Sequence, residues 1–313
     1  WGSFLANDYD ERSRLFGWRE IFVIIGMICV LAIPATMDFF GQSSTSDKVA
    51  GMGLFCLILF PLTVVPTLVA VPDKIAERSQ ALGWQDMVGL LRSNPILWRL
   101  LTADFTTSFA VSATAALYIF FATYVFELQN HASLALLLYF VAGFLAMPAW
   151  LKLAYRMGKV GAIKLAMGYT MTLQSGLFFV TEPGNVVLFW SYTFLAGLAF
   201  GATPTLLHSM MADLTDIDEL KTGQKRAGMY FALLATINKL GGAVAVGVTL
   251  TAADKLFNFT PGAANSQAAI DGLLLIFCFA PAAALALTYL PLYRYPLTKE
   301  RHAEIRRSLS AEE

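Results

Sequence analysis

The amino-acid sequence predicts an all-α membrane protein built from eight transmembrane helices. Three observations carry the prediction. Hydrophobic residues make up 57% of the 313 and charged residues only 14%, with a mean hydropathy of +0.60; soluble domains run at about 45–50% apolar and about 25% charged. Eight apolar runs reach the roughly 20 residues that a helix needs to cross a bilayer. Lys and Arg then fall almost wholly on one side of the alternation those runs define. Nineteen of the 22 lie in segments sharing one face, Lys48 and Lys255 lie on the other, and Lys239 sits inside a run. By the positive-inside rule both chain ends and the long charged segments are expected in the cytoplasm.

The chain opens on WGSFLANDYDERSRL, a charged loop that reads as joining something already begun, so a longer protein is expected upstream. The runs follow at 20–40, 49–71, 97–123, 131–151, 161–180, 185–207, 228–251 and 270–293. Prolines 34, 61, 66, 148, 204 and 281 fall within them, which helix bundles and water-lined cavities tolerate. Between the second and third runs, 72–96 carries Trp84, Met87, Val88 and Leu91 at helical spacing. It is expected to be a short interfacial helix lying along the membrane, closed by Asn94-Pro95. The stretch 208–227 is expected to be a charged loop.

A six-helix block after a long cytoplasmic linker is the anatomy of half a major facilitator transporter. The expected division is therefore 1–71 as the remnant of an amino-terminal half (a loop and two spans), 72–96 as the linker, 97–293 as the six-helix carboxy-terminal half, and 294–313 as a cytoplasmic tail.

The most pointed candidate is Lys239, within YFALLATINKLGGAVAVG. It stands about three turns from either end of its run, too deep to snorkel, and a central lysine costs about 2.5–3.5 kcal/mol to insert. It is expected to face protein or a wet cavity with an anionic or carbonyl partner, or to shed its proton. Thr236 and Asn238 are its polar neighbours. Small residues recur four apart at 241/245 and 243/247, a pattern that lets another helix approach closely. The third run carries Asp104, a possible coupling carboxylate or helix-end partner, with Thr107 and Ser108 as possible cavity-lining hydroxyls. His208 is expected at the interface, for want of an identifiable proton-relay partner.

Cys29, Cys56 and Cys278 lie in apolar runs without metal-ligand spacing, so no metal site is expected and no cofactor is implied. HExxH, GxSxG and P-loop patterns are absent, which disfavours an enzyme. A formal net charge of zero argues against a nucleic-acid partner. The lipid bilayer is the expected surrounding, and no obligate protein partner is evident.

Two charged stretches share a grammar. Asp8, Asp10 and Glu11 stand beside Arg12, Arg14 and Arg19; Asp213, Asp216, Asp218 and Glu219 precede Lys221, Lys225 and Arg226, with Gly223 between them and Tyr230 following. Exposed ion pairs are worth only about 0–1 kcal/mol each, which suits a cytoplasmic gate that must open readily. At these stretches the chain resembles the glycoside–pentoside–hexuronide:cation symporter family, of which the melibiose carriers are members. NDYDERSRL is similar to the loop after that family's fourth helix. MMADLTDIDELKTGQKRAGMYFALLATINKLGGA is similar to its passage from the tenth helix into the eleventh, including Leu220, Thr222, Gly228, Phe231 and Gly241, although Ala227 stands where the family often has glutamate.

The resemblance spans the chain as helices five to twelve. It implies a twelve-helix fold with alternating access, a lysine near the cation and sugar sites at Lys239, and acidic partners from helices that precede this sequence. The expected function is cation-coupled symport, by sodium or proton, of a sugar or glycoside, in the cell (inner) membrane. A lysolipid or other amphiphile carrier of the same fold is the alternative, and a non-transporting membrane scaffold or sensor is a third reading.

Overall fold

The computed structural model describes residues 22, 25–37, 40, 44–70, 84–223, 226–293 and 295, and helix occupies nearly all of them. In chain order the helices are α1 (Ile25–Met37), α2 (Thr45–Ala70), α3 (Trp84–Ser93), α4 (Pro95–Phe120), α5 (Gln129–Met157), α6 (Lys159–Val180), α7 (Val186–Leu198), α8 (Ala202–Thr222), α9 (Ala227–Phe257) and α10 (Gln267–Leu292). A π-helical turn, Phe121–Val125, extends α4. Helix stands at each of the eight predicted spans. Among the described residues, six of the segments are long and apolar enough to cross a membrane unaided. The opening and closing charged stretches, with Asp8, Glu11, Arg12 and Arg14, lie outside the described residues, as does Lys225.

The centre of the bundle is α4, which packs along α9 and α10 and also against α8. Its start is fixed locally. Asn94 accepts from the backbone N–H groups of Ile96 and Leu97, both at 3.2 Å, and Pro95 takes the first helical position, where its missing N–H is no loss. Around it the apolar core divides into two layers. One, at the basic end, gathers Leu97, Leu100, Leu101, Met210, Met211, Leu214 and Tyr230. The other, at the far end, is aromatic: Phe121 stacks on Phe277 at 3.9 Å and meets Phe126 edge-on at 5.2 Å. Outside this bundle α1 and α2 meet at Gly51, where Ile33 and Met37 close on the missing side chain. Most of α2 is exposed.

Three expectations need correction. The stretch from 208 is not a loop, because α8 runs unbroken to Thr222 before Gly223 ends it in the left-handed region. Leu206, Leu207, Met210, Met211 and Leu214 recur at helical spacing, bury one face, and carry the helix on while charged residues take the other. The run 185–207 is not one helix either. It breaks at Ala199–Gly201, where Gly201 takes φ +77° in the left-handed region open to glycine. Finally, α3 does not merely lie on a surface. Leu90 is buried in the core, and the indole of Trp98 donates to the Leu91 carbonyl at 2.7 Å, tying α3 to α4.

Helix α9 approaches α4 through glycine. A Cβ at Gly241 would stand 2.6 Å from the Phe105 carbonyl oxygen, and one at Gly242 would stand 3.0 Å from the Ser112 hydroxyl. Gly247 faces open space. Gly241→Ala is therefore expected to destabilise the bundle by about 1–3 kcal/mol through overpacking against backbone. Gly247→Ala is expected to be neutral or to gain about 0.5–1 kcal/mol from helix propensity. Thermal unfolding of the two variants in one detergent separates them.

Candidate functional site in the membrane-spanning bundle

The two sides of α9 carry different chemistry. Gly241, Ala245, Thr249 and Ala253 pack inward with Tyr230 and Leu234. At about 100° per residue, Lys239 lies roughly 160° round the helix from Gly241. It is exposed, and among the described residues it makes no hydrogen bond or ion pair. Ala235, Lys239, Ala243 and Gly247 follow one another at intervals of four and are all exposed, so they form one small-residue stripe. Of the two small pairs legible in the sequence, 241/245 is used against α4 and 243/247 is on the outward stripe. Thr236 is exposed as well, and its hydroxyl is satisfied by the Ala232 carbonyl of its own helix at 2.8 Å.

The remaining candidates gather on the inward side. Ser108 donates to the Asn238 carbonyl at 2.6 Å, bonding α4 to α9. The Asn238 side chain lies beside the Asp104 carboxyl, and His208 on α8 lies within electrostatic reach of it. Asp104 is 1% exposed, and its Oδ2 has no partner among the described residues. One turn on, the Thr107 hydroxyl is also buried without a partner. Thr106 pairs with Thr288 of α10 at 2.7 Å. The structure thus brings Asp104, Thr107, Ser108 and Asn238 together, and it turns Lys239 and Thr236 away from them.

Thr107 also lines a cavity of about 190 Å³ enclosed by α4, α5, α6, α7, α8 and α10. Its walls are mostly aromatic and aliphatic, with Tyr118, Tyr139, Tyr192, Thr193 and Gln174 supplying polar atoms. The Gln174 amide is held at both ends: it donates to the Phe277 carbonyl at 2.7 Å and accepts from the Tyr192 hydroxyl at 2.9 Å. Hydroxyls and one oriented amide among ring faces suit a ligand with both apolar and hydrogen-bonding surface. The volume is below the roughly 300–1,000 Å³ of drug-sized sites, so the cavity has room for one ring or a short chain segment. Gln174 and Tyr192 were not among the sequence candidates. An amide inside an apolar run was the available signal, since such groups find partners across helices.

At the basic end two charged pairs form within the bundle. Arg226 clasps Asp218 through two bonds, Nε to Oδ2 at 2.9 Å and Nη2 to Oδ1 at 2.6 Å, across the α8–α9 turn. Gly223 makes that turn in the left-handed region, φ +66°. Tyr230, fully buried, accepts from the Asn94 amide at 3.3 Å and faces Asp218, which links the start of α4 to the same clasp. Lys159, at the start of α6, reaches Asp213 at 2.5 Å and also donates to the Ser209 carbonyl at 3.3 Å. Beyond α10, burial pushes the Tyr295 phenol well above the usual tyrosine range, with the Asp213 carboxylate adding to the effect. Asp216 and Glu219 are half-buried on α8.

Membrane-length helices that hold a carboxylate, hydroxyls and an amide inside their spans mark a polytopic membrane protein. Residues 1–299 match the family described as MFS/sugar transport protein, and the chain belongs to that family and is an integral membrane protein. It is 30% identical over 210 residues to an uncharacterized symporter of Synechocystis, covering 64% of this chain and 38% of that protein. It is 22% identical over 319 residues to the raffinose carrier protein of Pediococcus pentosaceus, covering 96% of this chain and 48% of the carrier. It is 22% identical over 238 residues to the human sodium-dependent lysophosphatidylcholine symporter 1, covering 75% and 44%. The chain spans less than half the length of each of these three relatives.

The Asp218–Arg226 clasp is partly buried and bidentate, so it is worth more than an exposed pair. Asp218→Asn or Arg226→Lys is expected to cost about 1–3 kcal/mol of bundle stability. Lys221→Ala, on the exposed side of the same helix end, is expected to change it by less than about 0.5 kcal/mol. Thermal unfolding of the three variants checks the ranking.

Proposed function

We propose that this chain is the carboxy-terminal part of a twelve-helix secondary active transporter that carries a sugar or glycoside together with sodium or a proton by alternating access. The observation that carries the reading is the family match over residues 1–299, with the raffinose carrier aligned to 96% of the chain. The division into a two-helix remnant, a linker, a six-helix half and a tail belongs to the same proposal, as does a cell-membrane location with both ends cytoplasmic. The 19-to-2 split of Lys and Arg supports that orientation. The solute and the cation are the proposed partners, the chemistry is transport rather than catalysis, and no protein partner is required.

In this reading the Ala235–Lys239–Ala243–Gly247 stripe of α9 is where the other half of the transporter closes on the bundle. Small residues let an opposing helix come near, and an acidic side chain on that helix would neutralise the ammonium. The resemblance to the melibiose carriers points the same way. Under this proposal Lys239 is a coupling residue: its counter-charge changes with the state of the carrier, as rocking one half against the other requires.

One observation favours a second reading. The cavity within the bundle is lined by aromatic rings, aliphatic side chains and hydroxyls, and neither an indole nor a carboxylate is among its lining groups. That lining fits an amphiphile's chain as readily as a sugar's apolar face, and one relative is named for a lysophospholipid.

Uptake by vesicles carrying the transporter tests both. Accumulation of a raffinose-type galactoside, driven by a sodium or proton gradient and abolished by collapsing it, is the expected result. Accumulation of lysophosphatidylcholine in its place would establish the second reading, and uptake of neither would leave the scaffold. Lys239→Leu is expected to cut gradient-driven uptake by at least about tenfold at unchanged membrane abundance, within the usual 1–3 kcal/mol of coupling energies. Undiminished uptake would remove Lys239 from the mechanism.

A further inference from the structure

Asp104 is an ionisable group within a membrane span, 1% exposed, with Oδ2 unpartnered among the described residues. An ionised carboxylate offers about four acceptor sites. Here the Asn238 side chain lies beside the group, the Ser108 hydroxyl is committed to the Asn238 carbonyl, and the Thr107 hydroxyl, one turn away, makes no bond among the described residues. As an anion the group is poorly solvated, and burying an unpaired charge costs far more than burying a neutral acid.

Among the described residues, one group able to exchange a proton lies within electrostatic reach of it. On α8, His208 lies within electrostatic reach of the carboxyl and is exposed. Its Nδ1 stands 2.8 Å from the Pro204 carbonyl oxygen. That carbonyl can only accept, so Nδ1 carries a hydrogen and Nε2 is the nitrogen free to gain or lose one. Stacking on Phe231 also holds the ring, with centroids 6.4 Å apart. From α9, Asn238 faces Asp104 and is neutral, and Lys239 points to the opposite side. From α10, Thr288 meets α4, and that helix's acidic residue, Asp271, lies near its opposite end. On α4 itself Arg99, more than a turn away, reaches the Tyr293 carbonyl at 3.4 Å. Among the described residues no three His, Cys, Asp or Glu side chains gather as a metal site would need.

We propose that Asp104 is a proton-binding site of this bundle, loaded from the exposed face through His208. The net step breaks the Nε2–H bond of the imidazolium and forms an O–H bond at Oδ2. The imidazolium and the carboxylate both become neutral, and His208 takes up its next proton from solvent. This deepens the reading above by naming the proton as an ion the bundle binds, and it rests on that reading only for what the bound proton drives.

Infrared difference spectroscopy of the protein in lipid, titrated from about pH 8 to about pH 5, reads the site without any substrate. Wild type is expected to gain a protonated-carboxyl band that Asp104→Asn lacks and that Asp104→Glu retains at a shifted frequency. His208→Gln is expected to keep the band and to slow its hydrogen–deuterium exchange by at least about tenfold. A band of equal size in wild type and Asp104→Asn would overturn the site, and unchanged exchange in His208→Gln would overturn the route. Should Asp104→Asn fail to fold, the Asp104→Glu frequency shift decides alone, and an unshifted band overturns the proposal. A present band without sugar or lysolipid uptake would defeat the proposed function and leave the proton site standing; coupled uptake with no such band would do the reverse.

Discussion

The bundle depends on how closely α9 can approach α4. At Gly241 a side chain would meet the Phe105 carbonyl, so the two backbones touch there with nothing between them. That contact fixes the rotation of α9 about its own axis. With Gly241 and Ala245 turned inward, the 3.6-residue period leaves no freedom for the rest. Asn238 falls beside Asp104, and Lys239 falls on the outer side. A steric constraint at a glycine therefore decides which side of α9 presents Asn238 and which presents Lys239 with its small-residue stripe.

Within the spans, polar atoms are handled in two ways. Several hydroxyls bond their own helix one turn back, as Thr170 does to Ala166, Thr193 to Phe189 and Thr249 to Ala245. Such bonds satisfy the group and specify nothing about its neighbours. The cross-helix bonds of Ser108 to Asn238, Thr106 to Thr288, and Gln174 to Tyr192 and Phe277 do specify, because each holds two particular helices in register. Asp104 Oδ2 and Thr107 Oγ1, one turn apart on α4, fit neither pattern. In a medium that penalises unmade hydrogen bonds, leftover atoms of this kind mark where a ligand, a water or a proton has something to gain.

What could be read from the sequence follows the same physics. Span existence and the Asn94-Pro95 boundary between α3 and α4 were legible because each is a local property of composition or capping. The continuation of α8 past His208 was legible too: Leu207, Met210, Met211 and Leu214 repeat at helical spacing, but the charges on the other face of the same residues drew the reading toward a loop. Partnerships were not legible. The charged residue within electrostatic reach of His208, Asp104, lies 104 positions earlier on another helix, and Gln174 pairs with residues 18 and 103 positions away. Spacing along one helix says which residues share a face. It is silent about which helix that face meets.

The acidic and basic residues that make the chain recognisable deserve a different role from the one their charge suggests. A gate formed by two loops must break, and weak, exposed, interchangeable pairs serve that end. The bond between Asp218 and Arg226 is of another kind: it is bidentate, partly buried, joins consecutive helices, and is braced by Tyr230 and Asn94. Lys159 and Asp213 likewise join α6 to α8 inside the same bundle. Such contacts make the end of the bundle rigid, so that it moves as one body. For a carrier that works by tilting one half against the other, stiffness at this end is as necessary as a separable interface elsewhere. Under the proposed mechanism the separable interface is the outward stripe of α9, where Lys239 makes no hydrogen bond or ion pair among the described residues and small side chains leave room for an opposing helix.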